Sequence, residues 1–149
     1  MSPFVIVIFG GTGDLAQHKL LPALYSIFCK GGMGDKFYIV SFARREFSDE
    51  DYRKMLGEEW GMAGKDVAMW EAFVKHVYYS QGYFDEVTGY EELNRRLSVF
   101  DEEMGVCATR LFYLATLPDN YLPILDRLKK SKLSETWGEG SDGLTRLAI

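Results

Sequence analysis

The sequence predicts an α/β domain with a doubly wound, mostly parallel sheet that helices cover on both faces. Short apolar segments alternate along the chain with longer segments of helical periodicity. The first apolar run, residues 4–9, is unbroken and leads directly into a glycine-rich turn. An unbroken run of this length suits a strand buried on both faces, and alternation of strand and helix is typical of a parallel sheet wrapped by helices.

The same patterns place the individual elements. Strands are predicted at residues 4–9, 37–42, 76–80, 110–115 and 144–149. Helices are predicted at 14–30, 48–60, 67–75, about 90–103 and 118 to about 130–133, with a break at residues 61–64. In the first helix, the apolar residues expected on one buried stripe are Leu15, Leu20, Leu24, Ile27 and Phe28. Pro22 should kink or restart that helix after a short first turn at residues 14–17, and Ser48 should cap the second.

Composition limits the class of protein. The 149 residues suffice for one domain, residues 1–149, with a net charge of -5 that argues against nucleic acid or an anionic membrane as partner. No apolar run reaches the length of about 18 residues that a membrane span needs, and the N-terminus lacks a signal-peptide pattern. Cys29 and Cys107 lie among apolar neighbours without metal-ligand spacing, so we expect buried, reduced thiols in a cytoplasmic protein.

The turn after the first strand has the character of a phosphate-binding loop. Gly10 and Gly13 frame a G-x-x-G-x-x-A spacing that ends at Ala16. Glycines allow the backbone to approach a pyrophosphate closely, and the following helix would direct its free N–H groups and positive dipole end at the phosphate oxygens. A tight strand-to-helix turn without a ligand is the structural alternative.

The residues after the second strand bear on the choice of cofactor. A free ribose 2′-hydroxyl is usually bound there by an Asp or Glu, whereas a 2′-phosphate calls for a cation. Arg44 and Arg45 occupy this position, and Glu46 follows only after them. An arginine can bind a phosphate through two parallel hydrogen bonds. The pair therefore favours NADP over NAD, although exposed arginines can also simply begin a solvated loop.

Aromatic residues mark two further ligand candidates. Tyr83 and Phe84 follow the third strand, at the sheet edge where doubly wound domains bind ligands, and could pack on a cofactor ring. Tyr121, in the first turn of the last helix, lies close to the strand ends where a nicotinamide would sit. Aromatic residues in such loops also serve simply to cover the core.

Taken together, these motifs resemble the N-terminal coenzyme domain of glucose-6-phosphate dehydrogenases. The residues that carry the resemblance are Gly10, Gly11, Thr12, Gly13, Asp14, Leu15, Ala16, Lys19, Leu20, Pro22, Ala43, Arg44, Tyr83, Asp85, Arg110, Leu111, Phe112, Tyr113, Leu114, Ala115, Pro118 and Tyr121. The resemblance implies an NADP-linked oxidation of glucose 6-phosphate to the lactone. It also implies a pyrophosphate turn formed by Gly10 through Gln17, a 2′-phosphate on Arg44, a nicotinamide near Tyr121 and substrate-side binding at Lys19.

The chain departs from the family pattern at two places. Gln17 and His18 replace basic residues that are common before Lys19, and His18 matches a position that is not catalytic in the family. The family continues beyond the strand matching residues 146–149 into a Glu-Lys-Pro-Phe-Gly motif and an α+β domain with the catalytic histidine. We therefore expect this chain to bind NADP without turnover, to meet glucose 6-phosphate only together with the missing domain, and to belong to a homo-oligomeric enzyme.

Two other functions are compatible with such a fold. A non-catalytic NADP-binding sensor or adaptor could use the same loop. A stand-alone reductase or epimerase would typically need a Tyr-x-x-x-Lys pair, but the residue four positions after Tyr25 is Cys29, and Tyr83 and Tyr121 also lack a lysine there. The sequence shows neither a catalytic residue nor a metal-ligand cluster.

Overall fold

A computed structural model describes residues 2–60, 66–131, 133 and 145–148. The sheet in this part of the chain consists of β1 (Phe4–Phe9), β2 (Phe37–Ala43), β3 (Val77–Gln81), β4 (Thr109–Leu114) and β5 (Thr145–Ala148). The strands lie in the order β3-β2-β1-β4-β5, and every pairing is parallel. The doubly wound α/β fold predicted from the sequence is confirmed.

The register brings the three central strands to a common edge. Phe9, the last residue of β1, pairs with Phe42 of β2 and with Leu114 of β4. The chain crosses from one side of β1 to the other between these neighbours, so the segments that follow β1 and β4 diverge over opposite faces. Such a topological switch point opens a crevice at the carboxyl ends of the strands.

Helices cover both faces of the sheet. They are α1 (Leu21–Cys29), α2 (Asp49–Glu59), α3 (Val67–Val74), α4 (Val87–Met104) and α5 (Tyr121–Lys130), with a 3₁₀ turn at Pro118–Asn120. One apolar core lies between the sheet and α1 to α3, and a second lies between the sheet and α4 and α5. The predicted Ser48 cap is confirmed, because its hydroxyl accepts a 3.1 Å hydrogen bond from the Asp51 N–H.

A π-helical turn precedes Pro22, where the sequence predicts a kink or a new start of the helix. Residues Ala16–Leu20 form this turn directly before α1, and the Leu21 N–H donates to the Ala16 carbonyl five residues back. The next bond of that kind would join residue 22 to Gln17, but proline has no N–H. The Trp60 indole N–H donates to the Gln17 carbonyl instead, at 2.9 Å. The predicted break is thus a local change of helix type inside one helical run.

Two predictions about burial are wrong. Cys29 is exposed and Cys107 is partly exposed, although the sequence predicts that both are buried. Leu15 and Ile27, predicted on the buried stripe of the first helix, are each more than two-fifths exposed. Leu15 precedes the π turn, which holds one residue more than an α turn, so it does not share a stripe with the residues of α1.

The remaining boundaries moved by one or a few residues. β3 and β4 are displaced from the predicted ranges by one residue, and α4 begins at Val87, earlier than expected. The predicted helix break at 61–64 lies outside the described residues. None of the described helices is long and apolar enough to cross a bilayer.

Candidate functional site

A cleft of about 840 Å³ opens at the carboxyl edge of the sheet, over the switch point between β1 and β4. Four successive strand ends contribute to its wall. The lining residues are Gly10, Thr12, Gly13, Asp14, Leu15, Ala43, Arg44, Gly82, Tyr83, Phe84, Asp85, Ala115, Thr116, Leu117, Asn120 and Pro123. Eight of the residues predicted as ligand contacts are therefore brought together by the fold.

The glycine-rich loop is held in one conformation by its own hydrogen bonds. The Gly10 N–H donates to the Phe42 carbonyl at 2.8 Å, and the Gly13 N–H donates to the Gly10 carbonyl at 2.9 Å. Gly10 has a φ of +94°, and a Cβ there would lie 2.4 Å from the Ala115 carbonyl oxygen. A side chain at position 10 is thus excluded by both backbone conformation and space.

The helical run that follows begins immediately after the loop. The Gln17 N–H donates to the Gly13 carbonyl at 3.1 Å, and Gly13, Asp14 and Leu15 at the start of the run line the cleft. The first N–H groups of a helix have no partner within the helix, and they carry its positive dipole end. The loop therefore presents backbone donors where a phosphate group could accept them.

Three residues of the predicted loop lie behind this surface and do not line the cleft. Ala16 and Gln17 are buried, and the Gln17 side-chain amide donates to the Thr12 carbonyl at 3.1 Å. Gly11 packs on β2, where a Cβ would lie 2.3 Å from the Ser41 Cβ. These residues support the loop on the side that faces away from the cleft.

The two arginines after β2 point to different surroundings. Arg44 lines the cleft, whereas the guanidinium carbon of Arg45 lies 4.9 Å from the ring centroid of Phe47. Both arginine carbonyls are fixed from β3: the Gln81 amide donates to that of Arg44 at 3.0 Å, and the Tyr79 hydroxyl donates to that of Arg45. Arg44 is the only cation among the described residues that line the cleft.

The predicted aromatic contacts divide in the same way. Tyr83 lines the cleft and is 47% exposed, while Phe84 lines it and also packs against Phe9 and Phe42, with ring centroids 6.3 Å apart in both cases. The Tyr90 hydroxyl donates to the Phe84 carbonyl at 2.8 Å and fixes that segment. Tyr121 does not line the cleft and packs against the core under α4 and α5.

The candidate basic groups of the first helix lie outside the cleft. Lys19 is exposed, and the His18 Nδ1 lies 3.8 Å from a carboxylate oxygen of Asp14. His76 sits near the opposite edge of the sheet, where its Nδ1 makes a 2.9 Å hydrogen bond with the Phe37 carbonyl. Neither histidine lines the cleft.

Sequence reasoning missed the wall that follows β4. Thr116, Leu117, Asn120 and Pro123 line the cleft there, and the Asn120 amide donates to the Thr116 hydroxyl at 2.8 Å. The available signal was positional, because any residue directly after a strand next to the switch point faces the crevice.

The fold and the cleft define a dinucleotide-binding domain of the doubly wound class. Residues 7–149 match the family model described as the NAD binding domain of glucose-6-phosphate dehydrogenase. The chain belongs to the glucose-6-phosphate dehydrogenase family and constitutes its coenzyme-binding part.

Relatives and solved structures agree with this assignment. The chain is 40% identical over 134 residues to glucose-6-phosphate 1-dehydrogenase of Chlamydia pneumoniae and 34% identical over 135 residues to that of Bacillus subtilis, covering 88% and 90% of this chain. A solved glucose-6-phosphate dehydrogenase in complex with its substrate glucose 6-phosphate matches with a TM-score of 0.82 and 31% identity, over 99% of this chain and 30% of that one. The chain spans about a quarter of the curated relatives' length (26% and 27%). A non-catalytic module is not favoured.

Proposed function

We propose that this chain binds NADP for a glucose-6-phosphate dehydrogenase that oxidises glucose 6-phosphate to its lactone in the cytoplasm. The observation that carries the cofactor proposal is the position of Arg44, the only cation among the described residues lining the cleft. The other charged lining residues, Asp14 and Asp85, would repel a phosphate. Specific binding of a 2′-phosphate therefore rests on Arg44.

The residues present fit a dinucleotide. A Cβ at Gly10 would meet the Ala115 carbonyl, and one at Gly13 would lie 3.3 Å from the Gly10 carbonyl. Because these two residues are glycines, the loop can pack closely against the end of β4, and a pyrophosphate can approach its backbone. Residues 10–15 would hold the pyrophosphate, with Arg44 on the 2′-phosphate and Tyr83 and Phe84 near the adenosine half. When bound, the nicotinamide would accept a hydride from the sugar.

Several predicted roles depend on the rest of the enzyme. Lys19 is exposed and does not line the cleft, so it would contact the substrate phosphate only when a second domain completes the substrate site. Tyr121 would line the nicotinamide side through its backbone or through a change of rotamer, since its ring packs on the core. We propose that glucose 6-phosphate binding and homo-oligomer formation involve the three quarters of the relatives' length that this chain does not span.

Calorimetric titration of the chain with NADP and then NAD, at one salt concentration, tests the cofactor proposal. The test variant is Arg44→Ala, and Arg45→Ala is the matched control because its guanidinium packs over Phe47. A hydrogen bond to a charged group is worth about 1.5–3 kcal/mol, so Arg44→Ala should weaken NADP binding about 10- to 100-fold. NAD binding should barely change, and Arg45→Ala should keep most of the preference for NADP.

Two outcomes would contradict the proposal. Equal affinity of the wild-type chain for NADP and NAD would show that Arg44 does not read the 2′-phosphate. Failure to bind either nucleotide would reduce the functional claim to the family assignment.

A further inference from the structure

A buried tyrosine on α2 contacts the glycine-rich loop on the side that faces away from the cleft. Tyr52 is completely buried, and its hydroxyl donates to the Gly11 carbonyl at 2.7 Å. The same hydroxyl lies 2.6 Å from the hydroxyl of Ser41, which is also buried. Because the single phenolic proton is directed to Gly11, Ser41 must donate to Tyr52. The three groups form one directed chain, from Ser41 through Tyr52 to Gly11.

This chain of hydrogen bonds determines the direction of the next loop donor. A trans peptide is planar, with its C=O and N–H pointing in opposite directions. Since the Gly11 carbonyl points inward to Tyr52, the Thr12 N–H of the same peptide points outward, and Thr12 lines the cleft. Within the described residues this N–H donates to no other group. It is therefore available to a phosphate oxygen.

The helix that carries Tyr52 is itself anchored to the sheet. One Asp49 carboxylate oxygen accepts a 2.8 Å hydrogen bond from the Tyr79 N–H of β3, and the other pairs with Arg96 of α4. The Arg53 Nε donates to the Val77 carbonyl at 2.7 Å. Because α2 is tied to β3 on both sides of Tyr52, the hydroxyl cannot easily follow a movement of the loop.

The protonation state of Tyr52 supports a lasting donor role. Burial raises the pKa of its hydroxyl well above the ordinary range of tyrosine. The phenol consequently stays protonated throughout the range in which a dehydrogenase works. The Gly11 carbonyl keeps its donor at every such pH.

We propose that Tyr52 is a positioning residue that pre-forms the phosphate loop and so raises the affinity of the cleft for the pyrophosphate of either nicotinamide dinucleotide. The inference rests on the proposed function for its ligand. It adds a residue that lies outside the glycine motif and outside the cleft, and it assigns Ser41 as the group that orients the tyrosine. It also distinguishes two contributions to binding affinity. Tyr52 affects binding of the pyrophosphate, which NADP and NAD share, and Arg44 affects binding of the 2′-phosphate, which only NADP has.

The test compares Tyr52→Phe with Tyr38→Phe in calorimetric titrations of the full chain with NADP and NAD. Tyr38 is the matched control, because its hydroxyl donates to Glu103 at 2.8 Å near the opposite end of β2. Losing one intramolecular hydrogen bond should raise the Kd about 3- to 10-fold. Tyr52→Phe should raise it equally for NADP and NAD, whereas Arg44→Ala should change their ratio. Tyr38→Phe should leave both unchanged.

A second readout follows the loop without ligand. Amide hydrogen exchange, measured by nuclear magnetic resonance, should accelerate at Gly10 and Gly13 in Tyr52→Phe. The Gly10 N–H holds the loop to Phe42 of β2 and the Gly13 N–H closes the loop on Gly10, so both bonds open more often when the loop is less well fixed. It should not accelerate there in Tyr38→Phe. If Tyr52→Phe fails to fold, Ser41→Ala removes the orienting donor alone and should give the same changes at smaller size.

The outcomes separate the two proposals. If the wild-type chain binds NADP and Tyr52→Phe binds both nucleotides as tightly, or if loop exchange is unchanged, the inference about Tyr52 is overturned while the proposed function stands. If the wild-type chain binds neither nucleotide, the proposed function fails, and exchange at Gly10 and Gly13 alone decides whether Tyr52 orders the loop.

Discussion

The close contact between Gly11 of the loop and Ser41 of β2 can be tested by changing the size of both residues. A Cβ on Gly11 would lie 2.3 Å from the Ser41 Cβ and 2.5 Å from its Oγ. Ordinary carbon contacts begin at about 3.4 Å, so Gly11→Ala requires the two segments to separate by about 1 Å. Ser41 cannot yield, because it pairs with Ile8 of β1 on one side and with Tyr79 of β3 on the other.

The size of the effect follows from these contacts. Overpacking of a close contact costs about 1–3 kcal/mol, and the reduced freedom of alanine in the unfolded chain returns about 0.4–1 kcal/mol. Displacing the loop would also weaken the hydrogen bond from Tyr52 to the Gly11 carbonyl, worth about 1 kcal/mol. We expect Gly11→Ala to lower the free energy of unfolding by about 1.5–3 kcal/mol.

Ser41→Gly should rescue Gly11→Ala. The glycine removes the Cβ and Oγ, and the nearest remaining atom is the Ser41 Cα at 3.1 Å, a contact that a shift of a few tenths of an ångström relieves. Alone, Ser41→Gly costs about 1–2 kcal/mol, from strand flexibility and the lost hydrogen bond to Tyr52. The double variant should be no less stable than Ser41→Gly alone, which gives a coupling energy above about 1 kcal/mol.

Urea unfolding of the wild-type chain, both single variants and the double variant measures this coupling. Gly10→Ala is the control for specificity: Ser41→Gly should not rescue it, because its obstacles are a φ of +94° and the Ala115 carbonyl. Additive effects of Gly11→Ala and Ser41→Gly would refute the packing of the loop on Ser41.

Three further outcomes test other parts of the molecule by urea unfolding. Arg110→Met leaves the buried carboxylate of Asp101 unpaired and should cost about 3–5 kcal/mol, whereas Arg95→Met breaks an exposed pair and should cost less than about 1 kcal/mol. Trp60→Phe leaves the Gln17 carbonyl without its donor and should cost about 1–3 kcal/mol. Burial raises the pKa of Tyr79 to about 12, so its contribution to stability is fully present below pH 10.0 and should disappear as pH rises from 10.0 to about 12; Tyr79→Phe should flatten that decline.

The strands could be predicted because their signals are local. Each is a short run of apolar and aromatic residues bounded by turn residues, and parallel pairing requires both faces to be covered. Burial in the first helix could not be predicted in the same way. Leu15, before the π turn, is exposed, whereas Leu24, after it, is buried. The turn shifts the phase of the pattern, and the residue that stabilises it, Trp60, lies far along the chain.

In the site, too, residues could be predicted where the signal is local and could not where it depends on contacts distant in the sequence. Arg44 could be predicted in the cleft because it follows β2 directly, but nothing in the sequence shows that its neighbour Arg45 lies over Phe47 instead. Tyr52 shows only as a buried position on an amphipathic helix. Its contact with Gly11 joins residues 41 positions apart, and nothing in the pattern of either segment indicates the direction of a hydroxyl.

The glycine-rich motif itself contains two kinds of residue, and the structure explains why both are needed. Gly10, Thr12 and Gly13 face the cleft, whereas Ala16 and Gln17 are buried behind it. A phosphate site made of backbone N–H groups has no side chains to adjust, so its geometry must be set by what packs beneath it. Substitutions below the loop should therefore weaken NADP and NAD alike, and only substitutions at the end of β2 should change the preference between them.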